Sequence, residues 1–549
     1  MNFSFRNRSV DVHQFSMIPR ADIPRSSFTM QHTHKTAFDA GLLIPVFCEE
    51  VLPGDTFNLR ATFFARMSTP LFPIMDNLWL DSFFFFVPNR LVWSNWKKFM
   101  GEQANPADSI SYVVPQQVSP VGGYPVSSLQ DYFGLPTVGQ VAGAATVSHN
   151  ALPLRAYNLI YNEWFRDQNL QNSVVVNTGD GPDNQADYIL RRRGKRHDYF
   201  TSALPWPQKG GQPISLPIGT TAPVYGTGQT LGFTDGANNY GSITISTGDL
   251  SLGTGDYNQV VGGASSGSSV ASKRVGIVQS GNSGLYADLS AATAVTINQL
   301  RQSFQIQRLL ERDARGGTRY TELVRAHFGV VSPDARLQRP EYLGGGSAPV
   351  VVNPVAQNSA TGISGSSTPT GTLAGVAAVT AHGHGFHQSF TEHGYIIGLV
   401  CVRADLTYQQ GLRRHWSRNT RYDFYFPAFA MLGEQAILNK EIYCRGDSND
   451  NLVFGYQERW AEYRYHPSRV SGLFKSTSAG TIDAWHLAQN FTSLPTLNDT
   501  FIKDTPPVSR VVAVGAAANG KQFIFDSFFD VKAARPMPLY SVPGMIDHF

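Results

Sequence analysis

The sequence predicts a mainly β protein, a sandwich or jelly roll with long loop insertions and a few short helices. Turn residues are the first sign: 51 glycines and 32 prolines punctuate the 549 residues every few positions. Strand-like runs are the second, at 57–65, 79–87, 395–404, 452–456 and 521–531. In the first run Phe57, Leu59, Ala61 and Phe63 alternate with Asn58, Arg60 and Thr62. Residues two apart on a strand share a face, so this pattern marks a half-buried strand. Third, no repeated helices separate the runs, which argues against a parallel α/β sheet.

Helices interrupt the strands in three places. Leu154, Tyr157, Tyr161, Trp164 and Phe165 recur at helical spacing just after Pro153, a residue suited to a first turn. Thr296 and Gln299 form a capping box ahead of Leu300, Phe304, Leu309 and Leu310, and Gly316 with Gly317 would end that helix. A shorter helix is expected over 94–103.

Composition narrows the class. Hydrophobic residues make up 42% and aromatics 12%, enough for a large core, while charged residues reach only 15%. The usual charged share is about 25%. A free monomer wants a charged surface, so the deficit points to a subunit whose surface is covered by partners. The alternative is a β-rich protein with a polar, uncharged surface. A net charge of +3 is mild, so any grip on nucleic acid would come from local clusters. Cys48, Cys401 and Cys444 are odd in number and far apart, which fits neither a disulfide framework nor a CxxC metal site and suits a reducing cytoplasm. Residues 1–25 hold no signal-peptide apolar region, and the densest apolar run, 83–87, is too short to span a bilayer. The expectation is a soluble protein.

The chain divides by composition into three parts. Residues 1–209 read as an N-terminal arm and the first part of a β core with helical insertions. Residues 210–292, rich in Gly, Ser, Thr and Asn, read as a loosely β-structured surface excursion, with Tyr225, Phe233, Tyr240 and Tyr257 as packing groups. Residues 293–549 complete the core and include a mobile loop at 344–375.

Catalytic constellations fail on spacing or context. His382 and His384 lie two apart in HGHGFH, so on a strand they could bind one metal from a shared face. Cupin-type metal enzymes place a Glu about four residues beyond such a pair, and here Glu392 lies eight beyond His384. Turn and interface hydrogen bonds are the alternative for these histidines. There is no GxSxG elbow, and Gly344-Gly-Gly-Ser347 lacks the Lys of a P-loop. Neither a catalytic residue nor a cofactor is expected.

Basic clusters are the better candidates. Arg191, Arg192, Arg193, Lys195 and Arg196 precede His197 in seven positions. Further on, Arg413, Arg414, His415, Trp416, Arg418 and Arg421 interleave cations with an aromatic. Such mixtures suit single-stranded nucleic acid, where cations follow the backbone and rings stack on bases. Arg6 and Arg8, with Arg20 and Arg25, give the N-terminal arm the same potential. Ion pairing between subunits is the alternative, because arginine is enriched at protein interfaces.

Five ordered blocks resemble a known family: LDSFFFFVPNRLVWSNWKKFMGE at 80–102, LPLRAYNLIYNEWFR at 152–166, HDYFTSALPWPQ at 197–208, HGHGFHQSFTEHGYIIGL at 382–399 and PMPLYSVPGMID at 536–547. The chain is similar to the major capsid proteins of microviruses, specifically the gokushovirus subfamily. The resemblance implies an eight-stranded antiparallel jelly roll with very long insertions. Sixty copies would form pentamers and a T=1 icosahedral shell around circular single-stranded DNA, assembled in the cytoplasm of a bacterial host. It implies an internal scaffolding protein, a DNA-pilot protein and a small basic DNA-binding protein as partners. An insertion, matching 210–292 here, would contact a host cell-surface receptor. Two other classes remain to be tested against this reading: a metal-dependent, cupin-like β-sandwich enzyme and a carbohydrate-binding module.

Overall fold

A computed structural model describes residues 24–210, 297–331, 338–359, 369–513 and 520–540, with the backbone of four short strands between 224 and 287. The chain forms two compact units, Met1–Lys209 with Asp313–Phe549, and Gly210–Arg312.

The first unit is mainly β, with nine principal strands: β1 (Ser26–Phe38), β2 (Ile44–Val51), β3 (Thr56–Met67), β4 (Leu78–Pro88), β5 (Glu341–Pro349), β6 (Val351–Ala356), β7 (Leu373–Ser389), β8 (Gly394–Ala404) and β9 (Phe523–Arg535). They build a five-stranded sheet in the order β1-β9-β3-β7-β6 and a four-stranded sheet in the order β5-β4-β8-β2. Every pairing in both is antiparallel. The alternation read in β3 is real: Phe57, Leu59, Ala61 and Phe63 point inward and are at most 1% exposed. β9 repeats it with Phe523, Phe525, Phe529 and Val531. The two inner faces meet through ring contacts such as Phe47 to Phe529 at 5.2 Å and Phe84 to Phe386 at 5.6 Å. This is a β-sandwich. β1 and β9 pair along their whole length, from Ser26 opposite Arg535 to Phe38 opposite Phe523.

The four-stranded sheet is buried on both sides. Its second face carries Phe85, Val87, Ile397 and Leu399, which pack against Leu152, Leu154, Tyr157 and Ile160 of helix α1 (Leu152–Ile160). Double burial explains why β4 and β8 read as continuous apolar runs without a period of two. A single wider turn, Tyr161–Phe165, extends α1 as far as the spacing predicted.

Three expectations are corrected. The segment 344–375 is not one long loop, since it contributes most of β5, all of β6 and the start of β7. Its glycine run signals tight packing: a Cβ on Gly345 would sit 2.1 Å from the Ser82 carbonyl oxygen of β4, and one on Gly344 would sit 2.4 Å from the Gly385 carbonyl oxygen of β7. Only 360–368 of that segment lie outside the described residues. The helix expected over 94–103 is reduced to single turns at Asn89–Val92 and Trp96–Phe99. The strand read at 452–456 forms as Val453–Glu458, but it pairs with Glu434–Leu438 outside the sandwich.

Helix α2 (Ile297–Gly316) follows the excursion and ends at Gly317, whose φ of +97° favours glycine. Helix α3 (Tyr320–Phe328) comes next, with its His327 held 2.6 Å from Asp313. In the second unit, Val224–Gly226 pairs with Leu285–Ala287 and Gly232–Thr234 with Asn239–Ser242. All three cysteines are free. Among the described residues no helix is long and apolar enough to cross a membrane.

Candidate nucleic-acid interface

The first basic cluster is woven into the sandwich. Its backbone is pinned by Arg193 N–H to the Gly41 carbonyl and Lys195 N–H to the Ile502 carbonyl. Side chains then find partners within the chain. Arg191 donates to the Asp187 carbonyl, and Arg192 donates to the carbonyls of Ala40 and Asp504. Arg193 shares Asp81 with Arg403 and lies 4.6 Å from the Phe83 ring centre. Lys195 is 5% exposed, with its ammonium 4.3 Å from the Phe501 ring, and Arg196 pairs with Asp405 at 3.0 Å. Each of the five cations thus has a partner within its own chain. A phosphate-binding stripe needs solvent-facing cations, and these are committed to the chain's own carboxylates, carbonyls and rings.

The histidine pair is split by a bulge. β7 opposes β3 in regular register up to Ala381–Phe63, then resumes at His384–Ala61, so two residues on β7, His382 and Gly383, answer one on β3, Thr62. The extra residue flips the phase: His382 is exposed and His384 buried, so they do not share a face as the spacing suggested. Nδ1 of His384 lies 2.7 Å from the Ser82 hydroxyl, which itself accepts the Gly346 N–H. That arrangement leaves the Ser82 proton for Nδ1. Burial holds the imidazole below its ordinary pKa, so it is neutral and bridges the two sheets. Glu392, the other suspected ligand, is paired with Arg90 at 2.8 Å.

The second basic cluster opens onto a cleft of about 540 Å³. Tyr199, Phe200 and Tyr408 line it, beside a two-residue parallel bridge between Thr407–Tyr408 and Ser468–Arg469. Arg414 and Arg418 build the wall. The former donates to Glu441 at 3.0 Å and the latter to Glu462 at 3.3 Å, with the Tyr463 ring 4.5 Å from the Arg418 guanidinium. Arg413 behaves differently. It meets His466, and no described acid pairs with Arg413, Arg469 or Lys475 in the cleft lining. Desolvation, then the charges of Arg413, Arg418, Arg469 and His466, hold His415 below its ordinary pKa. Trp416 stands 68% exposed and Tyr465 47% exposed at the same cleft. An excess of cations beside exposed rings can hold an anionic, base-bearing chain. Sequence reasoning found Arg413 and missed Arg469 and Lys475; the run YRYHPSR at 463–469 carried the same basic and aromatic mixture.

Arg6, Arg8 and Tyr257 lie outside the described residues, as do the side chains of Tyr225, Phe233 and Tyr240. Among the described residues no group of three His, Cys, Asp or Glu is arranged to hold a metal ion.

Comparison with known proteins decides the family. The profile described as "Capsid protein (F protein)" matches residues 16–545. The chain is 48% identical over 541 residues to "Capsid protein VP1" of Bdellovibrio phage phiMH2K, covering 98% of each. It is 46% identical over 602 residues to "Capsid protein VP1" of Chlamydia phage 1, again 98% of each. With the protein of the same name from Spiroplasma virus 4, identity is 38% over 558 residues. The chain belongs to the F-type phage capsid protein family. As a capsid protein it is a structural component of the virion, and it works as one of many subunits in a shell. This is the microvirus type of major capsid protein that the five sequence blocks resemble. In that setting a buried His384 bridging two sheets is a device of the fold.

Proposed function

We propose that this capsid protein is an eight-stranded jelly-roll subunit that closes, in sixty copies, a T=1 shell around single-stranded DNA and performs no catalysis. The observation that carries the reading is strand order. With edge strand β6 set aside, the sheets run β1-β9-β3-β7 and β2-β8-β4-β5. Consecutive strands then cross repeatedly between sheets and the last strand inserts beside the first, as in a pair of nested Greek keys. Scaffolding, pilot and small basic DNA-binding proteins are the expected helpers in assembly. The purified chain should sediment as pentamers and closed shells visible by electron microscopy; a stable monomer with metal-dependent turnover would overturn the proposal.

Within this reading the cleft at Arg413, Trp416, Arg469 and Lys475 contacts the genome. Changing Arg413, Arg469 and Lys475 together to glutamine should lower packaged DNA per particle while the yield of shells holds. Loss of shells with normal subunit folding would assign the cleft to contacts between copies instead. The excursion at 210–292, with Tyr225, Phe233, Tyr240 and Tyr257, is the proposed host-receptor element. Shells lacking 210–292 should form but fail to adsorb to host cells, because shortening a loop changes closure entropy little. Unchanged adsorption would remove that role.

A further inference from the structure

The five-stranded sheet has a second face whose character the core does not explain. On β3 the outward residues include Arg60, Thr62, Phe64 and Arg66, and on β9 they include Ile524, Phe528 and Lys532. Phe64 is 48% exposed and Phe528 41%. Phe64 stands opposite Asp526, and Phe528 stands opposite Thr62, so the two rings are diagonal neighbours on adjacent strands. Such neighbours sit about 7 Å apart. Around them, Lys35 pairs with Asp526 and Gln31 with Asp530, while no described acid pairs with Arg60, Arg66 or Lys532.

We infer that this face is a stacking platform for unpaired bases of the packaged strand, seated on Phe64 and Phe528 with phosphates drawn to Arg60, Arg66 and Lys532. The inference rests on the reading of the protein as a shell around single-stranded DNA. An open antiparallel sheet with central rings and flanking cations is suited to unstacked bases, since every base has a face to stack and every nucleotide a charge to neutralise. A second copy of this chain fits less well. Self-contact through the same patch would set Arg60, Arg66 and Lys532 against their own counterparts, with only Asp526 and Asp530, already hydrogen-bonded to Lys35 and Gln31, to offset them.

Ultraviolet crosslinking of filled particles, followed by tryptic mass spectrometry, tests this. Cleavage after Arg60, Arg66, Lys521 and Lys532 isolates peptides 61–66 and 522–532, and both should carry nucleotide adducts. Particles with Phe64→Ala and Phe528→Ala should assemble and lose those adducts. Pentamers of the variant should bind oligo(dT) at least about tenfold more weakly than the parent, given what a single stacked base contributes. Adducts confined to other peptides in filled shells would overturn the platform and leave the shell reading standing. So would a variant that folds but cannot assemble, which would give the face to contacts between copies. Failure of the parent chain to form shells would remove both readings together.

Discussion

Replacing Arg155 with leucine should cost the folded subunit about 3–5 kcal/mol, the usual result of removing one partner from a buried ion pair. Arg155 and Asp183 are 0% and 1% exposed at the side chain. Two parallel hydrogen bonds join them, Nε to Oδ2 at 2.7 Å and Nη2 to Oδ1 at 2.6 Å. Nη1 also donates to the carbonyls of Val92 and Gly179. On the far side, Asn177 and the Tyr188 hydroxyl both donate to Asp183. Leucine would leave a carboxylate and two carbonyls dry, with only part of their hydrogen bonds. Urea denaturation of the unassembled subunit measures the loss, and a value under about 1 kcal/mol would show that the network is not what holds α1 to 174–188. The double variant Arg155→Leu, Asp183→Leu should recover part of the loss, because both charges then leave together.

Asp504→Asn should have the opposite sign, raising stability at neutral pH. Asp504 is 1% exposed, and its Oδ2 has no hydrogen-bond partner among the described residues. Burial pushes its pKa up to about 6 from 3.8, against the pull of Arg403, Lys195, Arg192 and Arg193. A raised carboxyl pKa means the fold prefers the protonated form. Its contribution is therefore fully present below the unfolded value of 3.8 and is lost as pH rises through about 6. The difference corresponds to about 3 kcal/mol at most, since one pKa unit is about 1.4 kcal/mol. Asparagine cannot ionise and keeps the backbone bond to Arg192. Part of the gain is offset at Lys195, whose own pKa burial lowers to about 8 and which loses a nearby negative charge. Denaturation at pH 4 and pH 7 should show a fall for the parent and a smaller one for the variant. Equal slopes would exclude Asp504 as the titrating group.

These two residues were also the hardest to read from sequence. α1 is buried almost all round, so Arg155 sits between Leu154 and Ala156 with no polar face to mark it. Asp504 follows Lys503 in an ordinary polar stretch, and only the fold encloses it. β3 was legible because one face is wet and its period of two survives. β8 was legible as a strand from its apolar run, but with no period of two to say which face met the core, because both its faces are covered. The histidine pair misled because a one-residue bulge leaves no trace in a spacing rule. In the cluster at 191–196 the sequence shows charges without their partners, because Asp81, Asp405 and Asp504 are remote in the chain. The second cluster was half legible, since Arg469 and Lys475 reach the cleft only through the bridge between Thr407–Tyr408 and Ser468–Arg469.

The pairing of β1 with β9 sets a condition on biosynthesis. β9 lies between β1 and β3, so until residue 535 has left the ribosome the first strand has no neighbour in its sheet. Most of the translation time passes with the N-terminal strand waiting, a long-range closure that is slow by its nature. A nascent chain that stops early cannot complete the sheet, and it exposes the flank of β3 where β9 belongs. A chain cut before β9 is therefore expected to carry an unpaired first strand and an open sheet edge, the features that mark incomplete chains for degradation.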